Sequence, residues 1–266
     1  MAKTAQSPFL RTALALWAMG LIGVVLIIPY IQSLQGPTLE LAARKAHVPE
    51  TTLLAASLGQ TAVLVLIGVL IGLWASRKVG LTTPIVSALV GGRPLPRIGG
   101  RMALALLFGA TAGAAIIALD LYMFRPPASL SLAAGATPEA WKGLLASFYG
   151  AFTEELLLRL FVLSVIALVL QALVTGGKPG SRPLSAGVFW IANLAAAVLF
   201  GLGHLPATAV LAPLTTMLVV RALVLNGLVG VVCGDIYRRW GLEFAMAAHF
   251  GGDLVLHVVP PLVLGR

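Results

Sequence analysis

Apolar runs recur along the chain, and each is about as long as an α-helix needs to cross a bilayer. A helix rises 1.5 Å per residue, so about 20 residues cover a hydrocarbon core of roughly 30 Å. Hydrophobic residues make up 59% of the sequence and charged residues only 10%, unlike a soluble domain. We therefore predict an all-α fold, a polytopic transmembrane helical bundle. The expected spans lie at about 12–34, 53–75, 102–124, 141–173, 185–205, 211–238 and 242–264.

The number of spans has one alternative. The sixth run is long enough to break near Asn226 and Gly227, which would make the bundle eight-spanning rather than seven-spanning. The first run is too long for the core of a signal peptide, so we expect a retained span. No internal repeat or second domain is visible, and residues 1–266 are expected to form a single integral membrane domain.

The net charge of +9 comes mainly from Lys and Arg in short loops between the apolar runs. This distribution indicates membrane topology rather than a nucleic-acid-binding face. The loop at 77–101 has five basic residues and no acidic one, so we expect it and the N-terminus to be cytoplasmic. The compact chain with short loops favours a prokaryotic plasma membrane. The same orientation places the end of the fifth span toward the outer side.

Two adjacent glutamates and an arginine interrupt the fourth apolar run, in the stretch AFTEELLLRLFVL. Ionisable residues at membrane depth are costly, and each is a candidate functional residue. Glu155 and Arg159 are four residues apart on a helix and can form a salt bridge. Glu154 points about 100° away from Glu155. Glu154 therefore has no partner on its own helix and is a candidate general base.

Two later spans also carry polar residues at helical spacing. The fifth ends with Phe200 and His204 on one face, and the last has His249, Asp253 and His257 at successive steps of four. Glu, His and Asp are the side chains that activate water, with or without a metal. Three helices would thus each bring a polar group toward a common site.

Structural roles compete with catalytic ones for several of these residues. A single histidine in a membrane helix is more often an interhelical hydrogen-bonding group than a catalyst. Asp120 and Arg221 are expected to form a structural ion pair or an interface contact. His257 is expected near the outer interface, and Phe200 in packing. The lone cysteine, Cys233, excludes an internal disulfide.

At these residues the chain resembles the CAAX protease and bacteriocin-processing family of intramembrane endopeptidases. The family motifs are E-E-x-x-x-R, F-x-x-x-H and H-x-x-x-N or D. Here they are Glu154-Glu155-Leu-Leu-Leu-Arg159, Phe200-Gly-Leu-Gly-His204 and His249-Phe-Gly-Gly-Asp253, in that order. The resemblance covers about 141–257, which we expect to be the catalytic core.

The resemblance implies hydrolysis of peptide bonds within or at the membrane. Glu154 and His204 would activate a water molecule, with Glu154 as the proton acceptor. His249 and Asp253 would stabilise the oxyanion, and Glu155, Arg159 and Phe200 would support the site. An ionised Asp253 would repel an oxyanion, whereas an asparagine amide could donate to it.

A zinc site is the alternative to this metal-free mechanism. Glu154, His204, His249 and Asp253 would form a four-ligand set. The H-E-x-x-H pattern typical of helical zinc proteases is absent. We therefore expect no cofactor and keep zinc as the alternative.

The expected partners are the lipid bilayer and a membrane-embedded or lipid-associated peptide or protein, and no nucleic acid. The short loops are typical of a prokaryotic chain, whereas prenylated CAAX substrates are a eukaryotic feature. We therefore expect substrates other than prenylated CAAX proteins. A catalytically silent scaffold or bacteriocin-immunity protein of the same fold is the alternative function. A proton-coupled carrier is a third hypothesis, but no matching interrupted helices in inverted halves favour it.

Overall fold

The computed structural model describes residues 8–125 and 138–265, and every regular element in those two ranges is helical. Seven of its helical segments are long and apolar enough to cross a membrane, so the seven-span prediction is confirmed for the described chain. The spanning helices are α1 (Phe9–Leu26), α3 (Glu50–Val79), α5 (Gly99–Phe124), α6 (Ala140–Val174), α7 (Ala186–Gly203), α9 (Thr216–Trp240) and α10 (Leu242–Val263). The remaining α-helices are α2 (Ile28–Ala46), α4 (Pro84–Val90) and α8 (Leu205–Leu211).

The first span is shorter than the sequence predicted. We expected a helix over about 12–34, but α1 ends at Leu26 and a new helix, α2, begins at Ile28 with Pro29 in its first turn. Proline has no backbone N–H and is tolerated in the first turn of a helix, where that donor has no helical partner. A turn at Ile27 separates the two helices, and α2 is the element that the hydropathy pattern missed.

The sixth span does not break. Helix α9 runs without interruption from Thr216 to Trp240. The side chain of Asn226 donates a hydrogen bond to the carbonyl oxygen of Ala222, 2.9 Å away and one turn back on the same helix. The eight-span alternative is therefore wrong for the chain as described.

Contacts between distant segments define two ends of the bundle. At one end, which we call the Arg77 end, the Arg77 guanidinium lies 5.2 Å from the ring centre of Phe9 at the start of α1. The N–H of Leu242, at the start of α10, donates to Thr82 at this same end. At the other end, Lys142 near the start of α6 donates to Ser33 of α2. The basic loop of 77–101 and the start of α2 thus lie at opposite ends.

Helix α10 lies in the centre of the bundle and packs closely on α5. Gly109 of α5 faces the backbone carbonyl of Ala248 on α10, and a side chain at this glycine would overlap that carbonyl. Small residues allow membrane helices to approach closely and gain dispersion contacts. This close approach brings α10, which carries His249 and Asp253, against its neighbours in a fixed position.

Substituting Gly109 with alanine is expected to destabilise the bundle by about 1–3 kcal/mol, because the added methyl group forces α5 and α10 apart. Equilibrium unfolding of the detergent-solubilised protein measures this change. Gly187→Ala in α7 is the matched control, since a methyl group there meets no neighbouring atom. Equal unfolding free energies for the two variants would show that the α5–α10 contact does not limit stability.

Candidate active site

Helix α6 departs from α-helical geometry where it carries the two glutamates. It is π-helical over Tyr149–Glu154 and again over Leu156–Leu163, with α-helix on either side. π-Helical turns are rare and occur frequently at functional sites. The polar residues of the first motif therefore lie on a locally widened helix.

Glu155 and Arg159 form the ion pair expected from their spacing. Their closest atoms, Oε1 and Nη1, are 3.1 Å apart, and both side chains are almost completely buried. The pair is close without being aligned as a hydrogen bond. The Arg159 guanidinium also contacts the carbonyl oxygen of Val229 at 3.4 Å and lies 4.9 Å from the ring centre of Phe200. Phe200 thus stabilises the arginine by a cation–π contact in addition to packing.

His249 joins both glutamates of the first motif. Its Nδ1 is 2.7 Å from Oε1 of Glu155, a short hydrogen bond between buried groups. Its Nε2 lies 3.5 Å from Oε2 of Glu154 and 3.7 Å from Oδ1 of Asp253. The ring is therefore anchored on one side by Glu155 and presents its other nitrogen to the two remaining carboxylates.

A glycine on α6 makes this arrangement sterically feasible. Gly150 lies directly against the Asp253 carboxylate and the Nε2 atom of His249, and a side chain there would overlap them. The backbone of α6 can therefore approach α10 closely enough for Glu154 and His249 to meet. The sequence reading missed Gly150, because one more glycine among 29 carries no distinguishing signal.

His204 lies at the end of α7, where the chain turns into α8. Its Nδ1 is 2.9 Å from the carbonyl oxygen of Phe200. A carbonyl oxygen only accepts, so Nδ1 carries the proton and Nε2 of the neutral ring is free to accept one. No ion pair links His204 to a carboxylate in the described residues. The structure therefore places Glu154 next to His249 rather than His204.

A cavity of about 570 Å³ is lined by residues from all three motifs. Glu154, His204, His249 and Asp253 line it, together with apolar side chains from several helices. Glu154 is 20% exposed, whereas Glu155 is completely buried. The cavity extends past Leu34 of α2, which places its outer part at the end of the bundle opposite the Arg77 end. It has the size and apolar lining of a small-ligand or peptide-binding pocket.

Further polar residues line the cavity beyond those predicted as catalytic, among them Arg221, Tyr30 and His257. Arg221 binds Asp120 through two hydrogen bonds of 2.6 and 3.0 Å, so the expected structural ion pair is present. Tyr30 of α2 bonds His257 at 3.0 Å between the hydroxyl oxygen and Nδ1. No pattern in the sequence marked Tyr30, because α2 itself was read as the tail of the first span.

One group of potential metal ligands stands out among the described residues. Glu155, Cys233 and His249 offer ligand atoms that all lie within 4.8 Å of one another, and all three are buried. Glu155 already pairs with Arg159, so a cation bound there would lie beside a fixed positive charge. This group is a poor fit for a metal ion.

The ligand set expected from the sequence is a better fit, although only in part. Nε2 of His249 already faces Glu154 and Asp253, and an imidazole held through its other nitrogen by a carboxylate is a common arrangement in zinc sites. His204 shares the cavity and has a free Nε2. In the described residues, however, the four ligand atoms of this set do not all lie within 4.8 Å of one another.

The fold and this site define a polytopic helical membrane protein with a carboxylate–histidine centre inside its bundle. Residues 136–255 match the family described as type II CAAX prenyl endopeptidase Rce1-like. The match contains all three motifs and confirms the family resemblance seen in the sequence. No curated protein sequence and no solved structure matches the chain significantly.

Replacing Arg159 with methionine should destabilise the protein by about 3 kcal/mol or more, because it leaves the buried Glu155 carboxylate without its counter-charge. Unfolding free energies in detergent measure the loss. Arg44→Met is the matched control, since Arg44 and Glu40 have the same spacing but are both exposed. The exposed Arg44–Glu40 pair should contribute less than about 1 kcal/mol to the free energy of unfolding. Similar losses for both variants would contradict the structural role of the buried pair.

Proposed function

We propose that the chain is an intramembrane endopeptidase that hydrolyses a peptide bond of a membrane-embedded or lipid-associated protein. The match of residues 136–255 to a CAAX endopeptidase family supports a protease, and seven helices long and apolar enough to cross a bilayer support a location in the membrane. The observation that carries the proposal is the unequal environment of the two glutamates. Glu155 is buried and paired with Arg159, whereas Glu154 faces the cavity, where a water molecule and a substrate can reach it.

In the proposed mechanism, Glu154 accepts a proton from water as the water oxygen attacks the scissile carbonyl. The attack forms a tetrahedral intermediate with a negatively charged oxygen. Glu154 then delivers the proton to the leaving nitrogen as the C–N bond breaks, which yields a new carboxylate and a new amine. His204, with its unprotonated Nε2 in the same cavity, would hold the water for attack.

His249 would stabilise the oxyanion in this mechanism. With a proton on each ring nitrogen, it would donate through Nδ1 to Glu155, 2.7 Å away, and present Nε2–H to the cavity. A preorganised donor aimed at developing charge is typically the largest contribution to such catalysis. Asp253, 3.7 Å from the same Nε2, supports the charged ring rather than contacting the oxyanion itself.

Glu154→Gln is expected to lower the cleavage rate by at least about 100-fold, because the amide cannot accept a proton. The variant should unfold like the wild type, since Glu154 is not part of the buried ion pair. Cleavage of quenched fluorescent peptides with apolar or lipidated ends measures the rate. Glu40→Gln, at an exposed carboxylate on α2, is the matched control and should cleave normally.

Retention of activity by Glu154→Gln would contradict the assignment of the base. A well-folded wild type that cleaves no peptide, yet binds a membrane protein equally well with or without the substitution, would favour the silent scaffold instead.

The mechanism proposed here is metal-free, and the fixed positive charge of Arg159 next to the buried Glu155–Cys233–His249 group supports it. If zinc is bound instead, Glu154, His249 and Asp253 with His204 would hold it, and it would polarise the scissile carbonyl and acidify water. Activity is expected to survive prolonged dialysis against a chelator. Loss on dialysis, with recovery on adding stoichiometric zinc, would overturn the metal-free mechanism.

We also propose that the N-terminus is cytoplasmic and that the cavity opens on the outer side. The basic 77–101 loop and the cavity lie at opposite ends of the bundle, which supports this orientation. Single cysteines placed at exposed Arg93 and Lys45 in a Cys233→Ser background can be labelled in intact cells with an impermeant maleimide. Position 45 should be labelled and position 93 protected until lysis. The reverse result would invert the topology.

A further inference from the structure

A chain of polar side chains continues beyond the third motif. The Oδ1 atom of Asp253 lies between two imidazole rings, 3.7 Å from Nε2 of His249 and 3.9 Å from Nε2 of His257. Nδ1 of His257 in turn bonds the hydroxyl of Tyr30 at 3.0 Å. The chain therefore runs from His249 through Asp253 and His257 to Tyr30 on α2.

Geometry indicates which way this hydrogen bond runs. If Nδ1 of His257 carried the proton, the lone pair of Nε2 in the neutral ring would face the Asp253 carboxylate and repel it. If Tyr30 donates to Nδ1, the proton lies on Nε2 and faces the carboxylate favourably. With an ionised Asp253 and a neutral His257, the second arrangement makes both contacts favourable. Tyr30 thus sets the tautomer of His257.

Neither residue belongs to the region that matches the family model. The family match ends at 255, and Tyr30 and His257 lie outside it. Tyr30 comes from α2, and His257 lies on the π-helical turn Leu254–Val258 that follows Asp253. Their rings also pack edge to face, with centres 5.4 Å apart. Both residues line the cavity, His257 with 29% of its side chain exposed.

We propose that Tyr30 and His257 are positioning residues that hold the Asp253 carboxylate for the reaction. This inference rests on the hydrolytic function proposed above. An asparagine at position 253 carries its own N–H donors, whereas an aspartate has none and repels the nearby Glu154 carboxylate. His257 directs Nε2–H toward the carboxylate from the far side, at 3.9 Å, as an electrostatic contact. Asp253 is then held where it can stabilise His249 without turning its charge toward the substrate.

The proposal predicts that substituting His257 lowers kcat only when residue 253 is an aspartate. His257→Phe keeps a ring against Tyr30 but removes both nitrogens, and should lower kcat about tenfold with little change in KM. In an Asp253→Asn background the same substitution should change kcat less than about twofold. Such dependence between contacting residues is what a double-mutant cycle measures. Equal losses in both backgrounds, or no loss in either, would overturn the proposal.

Tyr30→Phe provides a second variant that leaves the ring packing intact. Tyr30→Phe should lower kcat by less than His257→Phe does, and only when residue 253 is an aspartate. Tyr122→Phe, at an exposed tyrosine on α5, is the matched control and should leave kcat unchanged. A Tyr30→Phe loss that persists in the Asp253→Asn background would indicate a role other than holding Asp253, and would overturn the proposal.

A measurement without substrate separates this inference from the proposed function. Nitrogen-15 spectra of histidine-labelled protein report which ring nitrogen of His257 carries its proton, and His257→Phe identifies the signal. The wild type should show the Nε2–H tautomer, and Tyr30→Phe should shift it toward a mixture. An Nδ1–H tautomer in the wild type would overturn the positioning role. Another outcome is that the protein shows the Nε2–H tautomer of His257 and cleaves no peptide. That combination would refute only the hydrolytic function and would support the link from Tyr30 to Asp253.

Discussion

The buried ion pair of Glu155 and Arg159 is the contact on which the rest of the site depends. Two charges within an apolar bundle are tolerated only when each has a partner and further polar contacts. Arg159 obtains these from the Val229 carbonyl and the Phe200 ring, and Glu155 from Nδ1 of His249. One salt bridge thereby links α6, α7, α9 and α10. The orientation of the His249 ring follows from that link.

The same ion pair gives the two adjacent glutamates different environments and different roles. Because Glu155 is held inward by Arg159 and His249, Glu154 on the neighbouring face of α6 is turned toward the cavity. Gly150, one turn earlier, lets α6 approach α10 without obstruction. In the proposed mechanism the buried carboxylate holds the site together and the cavity-facing one transfers protons. Neither residue could take the other's role without losing its partner contacts.

Much of the fold follows from the sequence because the bilayer imposes a length and a polarity that can be read residue by residue. The apolar runs predicted seven spans, and spacing predicted the Glu155–Arg159 pair. The turn at Ile27, the π-helical turns of α6 and the contact of Glu154 with His249 depend on packing between distant segments, which one sequence does not display. Tyr30 shows this most clearly, because nothing in its neighbourhood along the chain marks it as part of a site formed by α10.

Hydrolysis in ¹⁸O-labelled water tests the central claim, that Glu154 acts on water and does not itself attack the substrate. A single turnover with an excess of enzyme, followed by mass spectrometry of both the product and the enzyme fragment containing Glu154, locates the label. We expect one ¹⁸O atom in the new carboxylate of the product and none in the glutamate side chain. Label in the Glu154 carboxylate would reveal a covalent acyl-enzyme intermediate and would contradict the account.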